Sequence, residues 1–135
     1  MAFLDDVQTF LIAQSRGTLP SNRQAWPIYL GYMPDDTIAP NKAIALHEAA
    51  GLAPEGRWNV VYPRLLVQVR GETDFGYSVA RTKAQDIFNS IHNTFTEVGA
   101  DYRSLLGMTS APVFLGYDTK TRPIFMWTFQ CIKEV

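Results

Sequence analysis

The feature that most constrains this chain is a change of period at Gly71, within the segment LLVQVRGETDFGYSVARTKAQDIFNSI (residues 65–91). Before the glycine the residues alternate. Leu65, Val67 and Val69 point one way, and Leu66, Gln68 and Arg70 the other, which is the period of a strand. After Asp74 the apolar residues recur three and four apart, at Ala80, Ala84, Ile87, Phe88, Ile91, Phe95 and Val98. Arg81, Gln85, Asp86, Asn89, Asn93 and Thr94 occupy much of the rest. The pattern predicts an amphipathic helix of about five or six turns, stopped by Gly99. Many nucleotide sites are a strand feeding a helix through a glycine turn. RGETDFG has neither three spaced glycines nor a Gly-Lys-Ser/Thr ending, and Glu72 and Asp74 repel a phosphate. The segment reads as a structural joint, with Thr73 or Asp74 as helix N-cap.

The flanking sequence supplies further elements. Phe3, Leu4, Val7, Phe10 and Leu11 form a helical stripe, with Asp5 and Asp6 in the first turn and Gly17 as the stop. WPIYLGYM (residues 26–33) reads as a strand, and PDDTIAPN as a turn. KAIALHEAA fits helix by propensity and strand by the Ile44/Leu46 alternation. Strand is chosen, as a hairpin with the run before it, because that is the shorter connection. GLAPEGRWNVVYP (residues 51–63) shows no period and reads as a long loop. The last run, APVFLGYDTKTRPIFMWTFQCIKEV, reads as a hairpin turning at DTKT. Phe125, Trp127, Phe129 and Cys131 share its buried face, and Asp118 pairs with Arg122 at the surface. These elements make one α+β domain over residues 1–135. Its mostly antiparallel sheet has about five strands, with a short N-terminal helix and one long amphipathic helix packed on it.

Composition excludes several classes. The chain has 135 residues, 47% apolar and 19% charged, which describes a globular protein with a real core. A net charge of −1 gives no global field toward nucleic acid or anionic membrane. A lone cysteine, Cys131, forms no internal disulfide and reads as a buried, inert thiol. The N-terminus has acids where a signal peptide has basic residues, and no run is apolar for long enough to span a bilayer, so a protein that is cytoplasmic or assembles in the cytoplasm is expected. His47 and His92 lack clustered cysteines or carboxylates, so no metal site is expected. No serine lies in a G-x-S-x-G setting. Asp35 and Asp36, between Pro34 and Pro40, suit a turn better than acid–base chemistry. Arg57 and Trp58 differ, because both residue types are favoured interface anchors and Trp58 is costly to leave in water. The competing reading folds Trp58 back over the core.

RLLVQVRGETDFGYSVARTKAQDIFNSI followed by APVFLGYDTKTRPIFMWTFQC resembles the tail terminator and minor capsid proteins of long-tailed bacteriophages. The shared features are the Arg70-Gly71 step, Asp74, the helix to Val98, Pro112, Leu115-Gly116, Asp118 and Arg122. IYLGYMP and IALHEAAG are similar to the family's first hairpin, whereas residues 51–63 match no family pattern. The resemblance implies a homo-oligomeric ring, usually hexameric, that caps the tail tube, ends its polymerisation and offers the head-docking surface. It implies partners in the tube protein and the head–tail connector, DNA passing through the bore without specific binding, no cofactor and no catalysis. Arg57, Trp58, Tyr62, Asp35, Asp36 and Arg122 are the expected interface residues. Two alternatives are another head–tail joining protein and a small-molecule enzyme on a ferredoxin-like sheet, with a pocket near Trp58 and Tyr62.

Overall fold

The computed structural model describes residues 3–21, 26–34, 41–55, 60–73, 76–92, 102–108 and 111–134. In chain order these hold α1 (Phe3–Ala13), β1 (Ile28–Leu30), β2 (Ala43–Glu55), β3 (Val60–Arg70), α2 (Tyr77–Ile91), β4 (Tyr102–Gly107), β5 (Val113–Tyr117) and β6 (Pro123–Glu134). The class is α+β as expected, with six strands rather than about five. Their order is β1-β2-β3-β6-β4, with β5 also on β6. β3 covers one side of β6. On the other side β4 pairs with residues 129–133 and β5 with residues 123–126. β4 went unread in the sequence because YRSLLG has no clean alternation.

Three connections depart from expectation. First, β1 pairs β2 in parallel, Ile28 against Ile44 and Leu30 against Leu46, so this is not a hairpin. β1 stops at Leu30, short of Met33, because Gly31 turns the chain at φ 84°. The segment 31–42 is then long enough for a crossover, which a parallel pair requires. Second, the segment 51–63 expected as a loop holds strand at residues 51–55 and 60–63, and residues 56–59 lie outside the described residues. β2 and β3 run as an antiparallel ribbon from Ala43 opposite Arg70 to Glu55 opposite Val60. Register shifts between Ala49 and Leu52, and again between Leu52 and Glu55, leave Gly51, Pro54 and Pro63 out of the paired positions. Bulges accommodate the prolines that a regular ladder excludes, and the same bulges erase the period. Third, α2 ends at Ile91 and not at Val98. His92 N–H donates to Phe88 O at 2.8 Å and the backbone then leaves the helix at ψ 130°. Residues 93–101, including Phe95, Val98 and Gly99, lie outside the described residues.

One face of the sheet carries the core. Leu65, Val67 and Val69 of β3 stand beside Phe129, Trp127 and Phe125 of β6, and Ile44 and Leu46 of β2 extend the row. Phe3, Val7, Phe10 and Leu11 of α1, with Ala80, Ala84, Ile87, Phe88 and Ile91 of α2, join the same cluster, as does Cys131. The stripes read from the sequence are thus buried at Phe3, Val7, Phe10 and Leu11, with Leu4 partly so, and from Ala80 to Ile91. At the end of α1, Ser15 N–H bonds Ile12 O and Arg16 N–H bonds Leu11 O, with Ser15 at φ 58°. This is a Schellman stop on a serine. Gly17, expected there, instead lies against Ile28, whose Cδ1 would sit 2.5 Å from a Cβ.

The joint at Gly71 is structural. A Cβ at Gly71 would come within 2.8 Å of both Ala80 Cβ and Pro123 Cγ, so only glycine lets α2 approach the sheet. The N-cap is Gly76, with no side-chain cap bond, rather than Thr73; Asp74 lies outside the described residues.

Candidate assembly surfaces

Two buried arginines fix the shape of the surface. Arg70 is 2% exposed. Its Nε donates to Asn41 O at 2.9 Å, and its Nη1 donates to Pro34 O. It therefore grips both ends of the segment that contains Asp35 and Asp36. Arg122 is also 2% exposed, and its Nε donates to Asp118 Oδ2 at 2.8 Å. Asp118 Oδ1 accepts from the backbone of Lys120 at 2.9 Å and of Arg122 at 3.0 Å. The turn was expected at the surface with an exposed pair. Thr119 and Lys120 are exposed as expected, but the pair is not, with the Arg122 side chain 2% and that of Asp118 19% exposed. Partial burial acts to raise the Asp118 pKa. The two backbone bonds and the Arg122 guanidinium outweigh it and hold the carboxyl below its ordinary value.

The other expected interface residues are placed as follows. Asp35, Asp36, Arg57 and Trp58 lie outside the described residues. Tyr62 is a β3 position opposite Leu52. Asp35 and Asp36 fall between β1 and β2 in the chain, and Arg57 and Trp58 between β2 and β3, so the whole of β2 separates the two pairs in sequence.

The surface signal missed in the sequence is at the sheet edges. Along the β4–β5 edge, Leu106, Met108, Val113, Phe114, Leu115 and Tyr117 are all exposed, Leu115 by 54% and Met108 by 48%. Val113, Leu115 and Tyr117 are the more exposed side chains of β5, while Phe114 is partly covered. The Phe114 ring meets Tyr77 at 5.0 Å, Tyr117 at 5.3 Å and Phe125 at 5.3 Å, so the patch is anchored on the core. At the opposite edge Thr18 bridges Pro27 just before β1. There Leu19 is 55% and Tyr32 56% exposed, with Tyr32 edge-on to Tyr29 at 5.4 Å. Exposed apolar side chains grouped at sheet edges are candidates for contact sites. The alternation VFLGY could have revealed the β5 patch, since both of its faces are apolar; the edge position could not be read.

A cleft of about 380 Å³ lies between Trp26 and the outer stripe of α2, lined by Ser78, Val79, Thr82, Lys83 and Asp86. The location near Trp58 and Tyr62 that the enzyme alternative expected rests on Trp58, which lies outside the described residues. Among the described residues no group of three or more His, Cys, Asp or Glu side chains is placed to hold a metal ion. No helix among them is long and apolar enough to cross a membrane.

No curated protein matches the chain. A family described as "Bacteriophage tail terminator protein" matches residues 8–135, nearly the whole length. That family is structural. The chain therefore belongs to the bacteriophage tail terminator family and is a structural component of the virion.

Proposed function

We propose that this chain forms a closed ring on the end of the phage tail tube, stops the tube's polymerisation there and presents the surface to which the head docks. The observation that carries the reading is the pair of unlike apolar patches on opposite edges of one sheet, β4–β5 at one end and Leu19 with Tyr32 at the other. A head-to-tail contact needs two different patches on each subunit, and it closes into a ring when the rotation between subunits divides a full turn. A terminator needs two unlike ring faces. One matches the tube end, and the other does not repeat the tube's growing surface. Arg57, Trp58, Tyr62, Asp35 and Asp36 are proposed for the contacts to neighbouring subunit and tube. Arg122 is assigned to the inside of its own subunit. DNA crosses the bore without specific contacts, in keeping with a net charge of −1. No cofactor or catalytic step belongs to this reading.

The test is direct imaging. Purified tail tubes are mixed with the protein, and their ends are reconstructed by electron microscopy. A ring of density at one tube end, with growth halted there when tube subunits are added, is the expected result. Bare ends with unhindered growth would overturn the proposal.

A further inference from the structure

The cleft beside Trp26 plays no part in the edge contacts described above, yet its chemistry is specific. Ser78, Val79, Thr82, Lys83 and Asp86 line it from one stripe of α2, and Trp26 forms the facing wall. Val79 is 61% exposed, so an apolar surface faces water inside a concave site. Two ammonium groups sit by the same ring, with Lys42 Nζ 5.5 Å and Lys83 Nζ 5.6 Å from the Trp26 centroid. Arg16 adds a third cation. Its Nε donates to Ser90 Oγ at 2.7 Å, one turn beyond Asp86 on α2. Burial first, then the charge of Arg16 and, more weakly, that of Lys42, hold the Lys83 ammonium below its ordinary range, with Asp86 pulling the other way. Among the described residues, Lys83 in the lining and Lys42 and Arg16 beside it face the single lining carboxylate of Asp86, an excess of positive charge next to an apolar slot.

We infer that this cleft docks a segment of a partner protein that carries a large apolar side chain next to carboxylates. The apolar side chain lies between Val79 and Trp26, and the carboxylates pair with Lys83 and Lys42. Charge complementarity selects this occupant. A carboxylate brought to Lys83 supplies the counter-charge that Asp86 alone does not, and cations already held at an aromatic face lose little freedom on pairing. Nucleic acid fits less well, because gripping a phosphate chain takes a run of cations, whereas Lys83 is the one cation among the described residues that line the cleft.

The test uses the full chain, with indole N–H resonances assigned by Trp26→Phe, and a blocked peptide, acetyl-Gly-Asp-Leu-Glu-Gly-amide, as probe. The peptide is expected to shift the Trp26 resonance saturably and to bind more weakly as salt rises. Lys83→Gln should weaken binding about five-fold, in line with a partly exposed charge-assisted bond. Val79→Asp, at an exposed position, should abolish binding while the melting temperature stays unchanged. Asp86→Asn should tighten it. The inference is overturned if the Asn/Gln version of the peptide binds equally well. It is also overturned if neither peptide moves the resonance, or if oligothymidylate displaces the peptide at equal concentration. Self-association of the protein that Lys83→Gln abolishes would assign the cleft to a second copy instead and would equally overturn the partner assignment. All readouts are on the isolated subunit, so they stand or fall separately from the ring.

Discussion

At the scale of single residues, the β5–β6 turn shows how burial changes the worth of an ion pair. An exposed Asp118–Arg122 pair would contribute at most about 1 kcal/mol. With Arg122 at 2% exposure and Asp118 accepting two backbone bonds, removal of the carboxylate strips a buried cation of a charged partner. Asp118→Ala should therefore cost about 2–4 kcal/mol at pH 7, measured by urea unfolding. The depressed pKa sets the pH dependence. The unfolded carboxyl titrates near pH ~4, so the stabilisation is complete above that and is lost as pH falls through the lower folded value. The gap between wild type and mutant should thus narrow toward pH 3 and stay constant above about pH 5. A second residue is simpler. Ser15 holds a left-handed conformation at φ 58° in the stop of α1. Ser15→Gly should stabilise by roughly 0.5–1 kcal/mol, seen as a raised urea midpoint at unchanged slope.

At the scale of elements, α2 is held to the sheet through Phe88. Its ring stacks on His92 at 5.1 Å and packs on Phe129 at 5.5 Å. A Cβ at Gly107 would meet it at 2.7 Å, and the Gly107 N–H donates to His92 Nδ1 at 2.8 Å. One ring thus ties together the end of α2, β4 and β6. Phe88→Ala should cost about 3–5 kcal/mol by urea unfolding, the usual range for emptying a buried aromatic site. A loss under about 1 kcal/mol would mean that the site collapses freely or that the helix is turned away from the sheet.

At the scale of the whole molecule, the prediction is a separation of stability from assembly. Leu115 is 54% exposed on an edge strand, so Leu115→Asp should leave the melting temperature within a few degrees of wild type. The same change puts a charge into the proposed subunit contact, and electron micrographs should show overlong or unjoined tails. Normal tails would remove the β5 edge from the interface. Trp58→Ala carries the corresponding test for the connection between β2 and β3. Unchanged melting with defective tails places Trp58 at a contact, whereas a large drop in melting temperature places it in the core.

The sequence by itself determined the elements whose period is intact. Leu65, Val67 and Val69, the helical stripe from Ala80 to Ile91, and the alternation from Phe125 to Cys131 were legible because side-chain direction follows backbone period locally. The resemblance carried by Arg70-Gly71 and by the β5–β6 hairpin led to the right family for the same reason. These residues answer to the fold itself, Arg70 as the grip on the crossover and Gly71 as the close approach of α2 to Pro123. The tertiary structure alone decided what depends on distant partners. The parallel pairing of β1, the bulged ribbon through Gly51, Pro54 and Pro63, and the short strand β4 are set by which neighbour supplies the hydrogen bonds. The burial of Arg122, the exposure of β5 and the gathering of Lys42, Lys83 and Trp26 likewise arise only when segments far apart in the chain meet, and no local period records that meeting.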